Sequence, residues 1–242
     1  MVKIVSFKIC PFVQRVTAVL ELRQTAYEVE YISLADKPDW FLKASPHGQV
    51  PILITDQGVL FESGPIAEFV DETCGEPRLH PPDPFLRARH RAWVELATTH
   101  YLVQCRTQRS PDAEQLDENR KTFSVALAKI EAALDGGPYF QGSELSMVDA
   151  AWFVLLHRAR IIEQCSGVDV LGDFPKLKQW QSKLLEVQAL QRSAPAGFIE
   201  EFVNFYLHHG TYLGRLMEQG QGRCGSIDAA TCDAATMNAC CR

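Results

Sequence analysis

Residues 2–20, VKIVSFKICPFVQRVTAVL, change character at Cys10. Before it, Val2, Ile4, Val5 and Phe7 sit among Lys3 and Ser6, a short run with the β-branched content of a strand. After it, Pro11 suits the first turn of a helix, where its missing N–H is not needed. Val13, Val16 and Leu20 then recur at helical spacing, which predicts a helix over about 11–24. A strand leading straight into a helix opens a βαβ unit, and Tyr27, Val29, Tyr31 and Ile32 supply its second strand. A short helix follows in KPDWFLKASP. Pro51 starts a hairpin over 51–61 with its turn at Asp56-Gln57-Gly58. Ser63 is placed to cap the next helix, with Ile66, Phe69 and Val70 facing inward. The order β-α-β-α-β-β-α makes a complete small α/β domain over 1–76.

The composition then shifts. EPRLHPPDP holds four prolines in nine residues, which neither a continuous helix nor a central strand tolerates, so 77–86 reads as a linker. From 87 to 219 the pattern is all-α. A long amphipathic helix covers 85–109 and a second 115–134, stopped by Gly136-Gly137-Pro138. Ser146-Met147-Val148-Asp149 has the spacing of a capping box, with Asp in place of Glu, ahead of an apolar helix over 150–165. Phe174-Pro175 opens another, and 197–218 closes the domain. The last stretch, 220–242, is rich in cysteine and alanine and is expected to be a mobile, oxidation-prone tail.

Over 242 residues, 46% hydrophobic and 22% charged content are those of an ordinary globular chain. A formal charge of −6 argues against a nucleic-acid or anionic-membrane partner, since both call for a basic face. No apolar run reaches the ~18–20 residues of a membrane-spanning helix, and the first residues lack a signal-peptide pattern, so a cytoplasmic location is the expectation. Of the eight cysteines, Cys10, Cys74, Cys105 and Cys165 are scattered without partners at metal-ligand spacing. They suit a reducing compartment. The tail cysteines have no accompanying histidine, and no metal is expected.

Chemistry concentrates at Cys10. At a strand end and a helix start, unpaired amides and the helix dipole favour a thiolate, the reactive form of cysteine. Val13 stands where a dithiol oxidoreductase keeps its second cysteine, so a mixed disulfide on Cys10 needs an external thiol to resolve it. Val50-Pro51 opens a strand where a cis proline would turn the Val50 backbone toward a ligand. Glu62-Ser63 lies at a helix N-terminus suited to a carboxylate. The basic stretches Arg87, Arg89, His90, Arg91 and His157, Arg158, Arg160 read as solvated faces.

CPFVQR, KPDWFLKASPHGQVP and ESGPIAEFVDE, in that order and followed by a helical half with SMVDAAW, resemble the cytosolic glutathione transferases. The cysteine motif places the resemblance with the omega and lambda classes and their bacterial relatives. It implies a thioredoxin-like α/β N-terminal domain and an all-α C-terminal domain. It further implies Cys10 as the nucleophile that captures glutathione. Lys37 would meet the glycyl carboxylate and Val50, beside cis-Pro51, the cysteinyl backbone. Glu62 and Ser63 would hold the γ-glutamyl end, with Phe12 lining the site. Trp93 and Tyr101, on the long helix, would line the pocket of a small second substrate, aromatic or otherwise apolar. A homodimer is implied, and Asp149 would serve structure alone. Cysteine chemistry points to glutathione-dependent thiol transfer: deglutathionylation, or reduction of mixed disulfides, dehydroascorbate or glutathionyl thioethers. Conjugation to electrophiles, and a non-catalytic binding module, are the alternatives.

Overall fold

The structure, a computed structural model, describes residues 1–220; the tail cysteines fall outside the described residues. The chain opens with β1 (Val2–Ser6), α1 (Pro11–Leu22), β2 (Tyr27–Tyr31), α2 (Asp39–Ala44), β3 (Ile52–Thr55), β4 (Gly58–Phe61) and α3 (Ser63–Thr73). The four strands form one sheet in the order β2-β1-β3-β4. β1 pairs parallel to β2 and antiparallel to β3, and β3 turns into β4 as a hairpin. The parallel pair needs the α1 crossover, which is why the apolar period switches from two to 3.6 at Cys10.

Strand alternation distributes the core. Ile4 and its cross-strand neighbour Leu53 face α1 and α3, while Val5 and Ile52 face the other way, onto Phe41 of α2. The mixed α/β domain expected from the sequence is therefore present.

Helices make up the rest: α4 (Pro84–Gln108), α5 (Ala113–Ala133), α6 (Met147–Ser166), α7 (Pro175–Glu186), α8 (Gln188–Arg192), α9 (Phe198–Tyr206) and α10 (Tyr212–Glu218). Asp83 caps α4 by accepting from the Leu86 amide at 2.8 Å, so this helix begins inside the proline-rich stretch. The final helical stretch divides into α9 and α10, separated by the turn at Leu207–Thr211 whose Thr211 side chain caps α10. α6 runs through the centre of the domain and is buried on nearly every side. Its capping box closes as the spacing predicts, Ser146 and Asp149 each bonding the other's backbone amide.

The basic stretch on α6 is a correction. His157 and Arg158 are buried and only Arg160 reaches solvent. α6 packs on α1, so its polar residues meet those of α1: Gln14 Nε2 donates to His157 Nδ1 at 3.1 Å, and Arg158 donates to Gln14 Oε1. Burial, with Arg158 adjacent, pushes the His157 pKa from its ordinary 6.5 down to about 3. The folded chain then refuses a proton that the unfolded chain accepts. Stability is full above about pH 6.5 and falls as pH drops toward 3, at roughly 1.4 kcal/mol per pH unit. His80 and His90, lowered by burial too, act in the same direction. Urea unfolding at pH 7 and pH 5 should show this loss, and His157→Gln should remove a large part of it. A pH dependence identical in the variant would refute the assignment.

Candidate functional site

The end of β1, the α2–β3 loop, the start of α3 and the flank of α4 surround a cavity of about 140 Å³. Its wall includes Cys10, Phe12, Lys37, Val50, Pro51, Glu62 and Ser63, positions separated by up to 53 residues in the chain. The fold thus brings together the six binding candidates and the thiol. Leu34, Ser45, His47, Gly48, Gln49, Phe61 and Leu102 complete the wall, and the sequence reading does not single them out. A signal for several of them is present, because residues 45–49 lie inside the KPDWFLKASPHGQVP motif.

Val50–Pro51 is cis. Ser45 ties the preceding loop, accepting from the Gln49 amide at 3.0 Å and donating to the Gln49 carbonyl at 2.9 Å. Ser63 departs from expectation. It is the first residue of α3, not its cap; Glu62 holds the cap position with φ of 67° and makes no capping bond. A non-glycine residue in that region costs on the order of 1–3 kcal/mol and persists where the surroundings hold it. They do so here by claiming Ser63: the Arg15 guanidinium donates to Ser63 Oγ at 2.5 Å and to Thr98 Oγ1 at 2.6 Å, tying α1, α3 and α4 together.

Cys10 is the N-cap of α1 and a free thiol, yet only 5% of it is exposed. The open nucleophile expected from the sequence is a nearly covered one. Burial raises the thiol pKa above its ordinary value, and the amides of Val13 and Phe12 and the charge of Arg158 offset only part of that rise.

The arrangement is shared with known proteins. Family models described as "Glutathione S-transferase, N-terminal domain" and "Glutathione S-transferase, C-terminal domain" match residues 4–78 and 113–180. Glutathione S-transferase omega-1 of Mus musculus is 32% identical over 212 residues, covering 85% of this chain and 86% of its own. The chain belongs to the glutathione S-transferase family.

Among solved structures, the fold of this glutathione transferase matches glutathione transferase Omega 3C from Trametes versicolor with a TM-score of 0.69 at 24% identity, over 79% of this chain and 88% of that one. Rice GST1, solved in complex with glutathione, matches with a TM-score of 0.75 at 23% identity, over 90% and 96%. The two-domain fold and the enzyme class expected from the motifs are met at the level of the family.

The aromatic pair fares differently. Neither Trp93 nor Tyr101 lines the cavity of the transferase; Leu102 does. Tyr101 is buried, donates to the Ala151 carbonyl at 2.8 Å and abuts Phe12 edge-on at 5.4 Å. Trp93 packs on Phe140 and accepts from Trp152 Nε1 at its carbonyl. Their eight-residue spacing marks a common helix face, and in this fold that face is core. Tyr101 packs on Phe12, which lines the cavity.

Proposed function

We propose that this transferase performs glutathione-dependent thiol transfer through Cys10. One observation carries the reading: the thiol sits at the helix N-terminus in the wall of the same cavity as Lys37, Val50, Glu62 and Ser63. The omega-class relative supports it. In the first step the Cys10 thiolate attacks the glutathione sulfur of a mixed disulfide; a Cys10–glutathione disulfide forms and the other thiolate leaves and takes a proton. A second glutathione thiolate then attacks the glutathione sulfur on Cys10, releasing glutathione disulfide and the Cys10 thiolate. Val13 cannot resolve the intermediate, so the second glutathione is obligatory. The γ-glutamyl carboxylate would lie on Ser63 and the free amides of α3, the glycyl carboxylate on Lys37, and the cysteinyl backbone along Val50. The reading includes a homodimer in the cytoplasm, with residues 1–76 binding glutathione and 87–219 the second substrate.

The test is the pH dependence of Cys10 alkylation, followed by mass spectrometry of its peptide, and capture of a glutathione adduct from glutathione disulfide. A glutathione adduct on Cys10 is expected, because the thiol, though raised by burial, stands in the wall of the cavity. No adduct on Cys10 overturns the reading. Conjugation with Cys10 as bystander is favoured by one observation, the burial of the sulfur, and would show itself as activity toward electrophiles with no adduct. Lys37→Ala should raise KM for glutathione about 5–10-fold with kcat little changed, because it removes a charge-assisted contact made equally in ground and transition states. An unchanged KM would remove Lys37 from the glutathione site.

A further inference from the structure

Arg158 belongs to the second domain, yet its guanidinium ends at the turn that carries Cys10. Nη2 donates to the Ile9 carbonyl at 3.1 Å, and Nη1 to Gln14 Oε1 on α1 and to the Val154 carbonyl on its own helix. The guanidinium lies 5.2 Å over the Phe198 ring and is 1% exposed. Its oxygen partners are neutral carbonyls, its Nε has none, and no carboxylate pairs with it among the described residues. A buried cation without an anion is costly, and an anion formed beside it relieves that cost. The titratable groups facing it are Cys10 at the start of α1, Tyr101 and Cys105 on α4, Tyr206 on α9, and its neighbour His157. The Tyr101 anion is out of reach near neutral pH, its phenol being pushed up to about 12 by burial, and the Tyr206 hydroxyl donates to Cys105 Sγ at 3.2 Å. His157 stays neutral. Of the two thiols, only Cys10 lines the cavity.

We propose that Arg158 is the fixed counter-charge of the Cys10 thiolate and the holder of the Ile9–Cys10 turn. It is a positioning residue lent by the helical domain to the thiol of the other. The inference rests on thiol transfer through Cys10. It makes a competent thiol depend on the docking of both domains, since the charge and the sulfur arrive from different ones.

The experiment measures the pH midpoint of iodoacetamide alkylation at Cys10 in the full chain and in Arg158→Met, Arg158→Lys and Gln14→Glu variants, with thermal unfolding alongside. Arg158→Met should raise the midpoint by about one unit, slowing alkylation at neutral pH about tenfold. Arg158→Lys, which keeps the charge, should recover most of that rate. Gln14→Glu sets a carboxylate on Nη1 and against His157, satisfies the guanidinium with the arginine still in place, and should raise the midpoint too. It therefore decides the matter if Arg158→Met does not fold. If wild-type Cys10 takes the adduct and the foldable variants keep the wild-type midpoint, losing only thermal stability, Arg158 is a structural clamp and this inference fails alone. If glutathione disulfide leaves no adduct on wild-type Cys10, thiol transfer fails and this inference with it.

Discussion

Cys10→Ser is expected to lower glutathione-dependent reduction of mixed disulfides by on the order of a thousandfold or more. A serine hydroxyl cannot enter a disulfide, and Val13 offers no second sulfur nearby. The fold should survive, because serine is a preferred N-cap and the position is already the cap of α1. Conjugation of glutathione to an electrophile should persist or rise, since a hydroxyl there can donate to a bound glutathione thiolate. Side-by-side assays of the two reactions give the answer. Thiol transfer retained within tenfold of wild type would place the nucleophile elsewhere.

Asp149→Ala should remove about 3–5 kcal/mol of stability, a fall in Tm of roughly 10–15 °C for a chain this size. The carboxylate is fully buried beneath the start of α6. Oδ1 accepts from the Phe140 amide at 2.9 Å and Trp180 Nε1 at 2.7 Å; Oδ2 accepts from the Ser146 amide at 2.8 Å and hydroxyl at 2.6 Å. Truncation leaves donors from the α5–α6 loop, the cap and α7 without an acceptor, and each orphaned group costs its desolvation. Asp149→Asn keeps the shape but only part of the acceptor capacity, so its loss should fall between wild type and Asp149→Ala. The folded variants should keep their KM for glutathione, as no cavity residue is touched. A Tm within about 3 °C of wild type would show that the loop finds other partners.

The order of elements could be read because local signals agreed: strand content before Cys10, Pro11 at a helix start, a turn at Asp56-Gln57-Gly58, a capping box at Ser146. Cys10, Val50-Pro51 and Glu62-Ser63, which share the cavity wall, could be singled out for the same reason, each lying where one element hands over to the next, whereas Phe12 and Lys37 came from the family resemblance alone. What failed was anything set by the packing of elements far apart in the chain. Ser63 has the residue type of a cap, but its hydroxyl accepts from Arg15, on a helix 48 residues earlier. Arg158 looks like part of a solvated basic face until α1 is laid across it. Trp93 and Tyr101 lie on the expected helix but on the wrong side of the cavity wall. A helical repeat gives a shared face and leaves open whether that face meets a cavity or a core. Leu102, one position on, turns about 100° away and reaches the cavity.

Helix α1 presents Gln14, Arg15 and Thr17 to the second half of the chain, where they meet His157 and Arg158, Thr98, and the Ser193 carbonyl at 2.8 Å. Such a seam limits exchange between relatives. A chimera that grafts a foreign helical half onto this N-terminal half, to acquire a new substrate range, would have to import those four partners along with the pocket. A graft chosen only for its pocket would strand a buried amide, a guanidinium and a hydroxyl at the junction. Portability of substrate preference within this fold is therefore governed by residues that never touch the substrate.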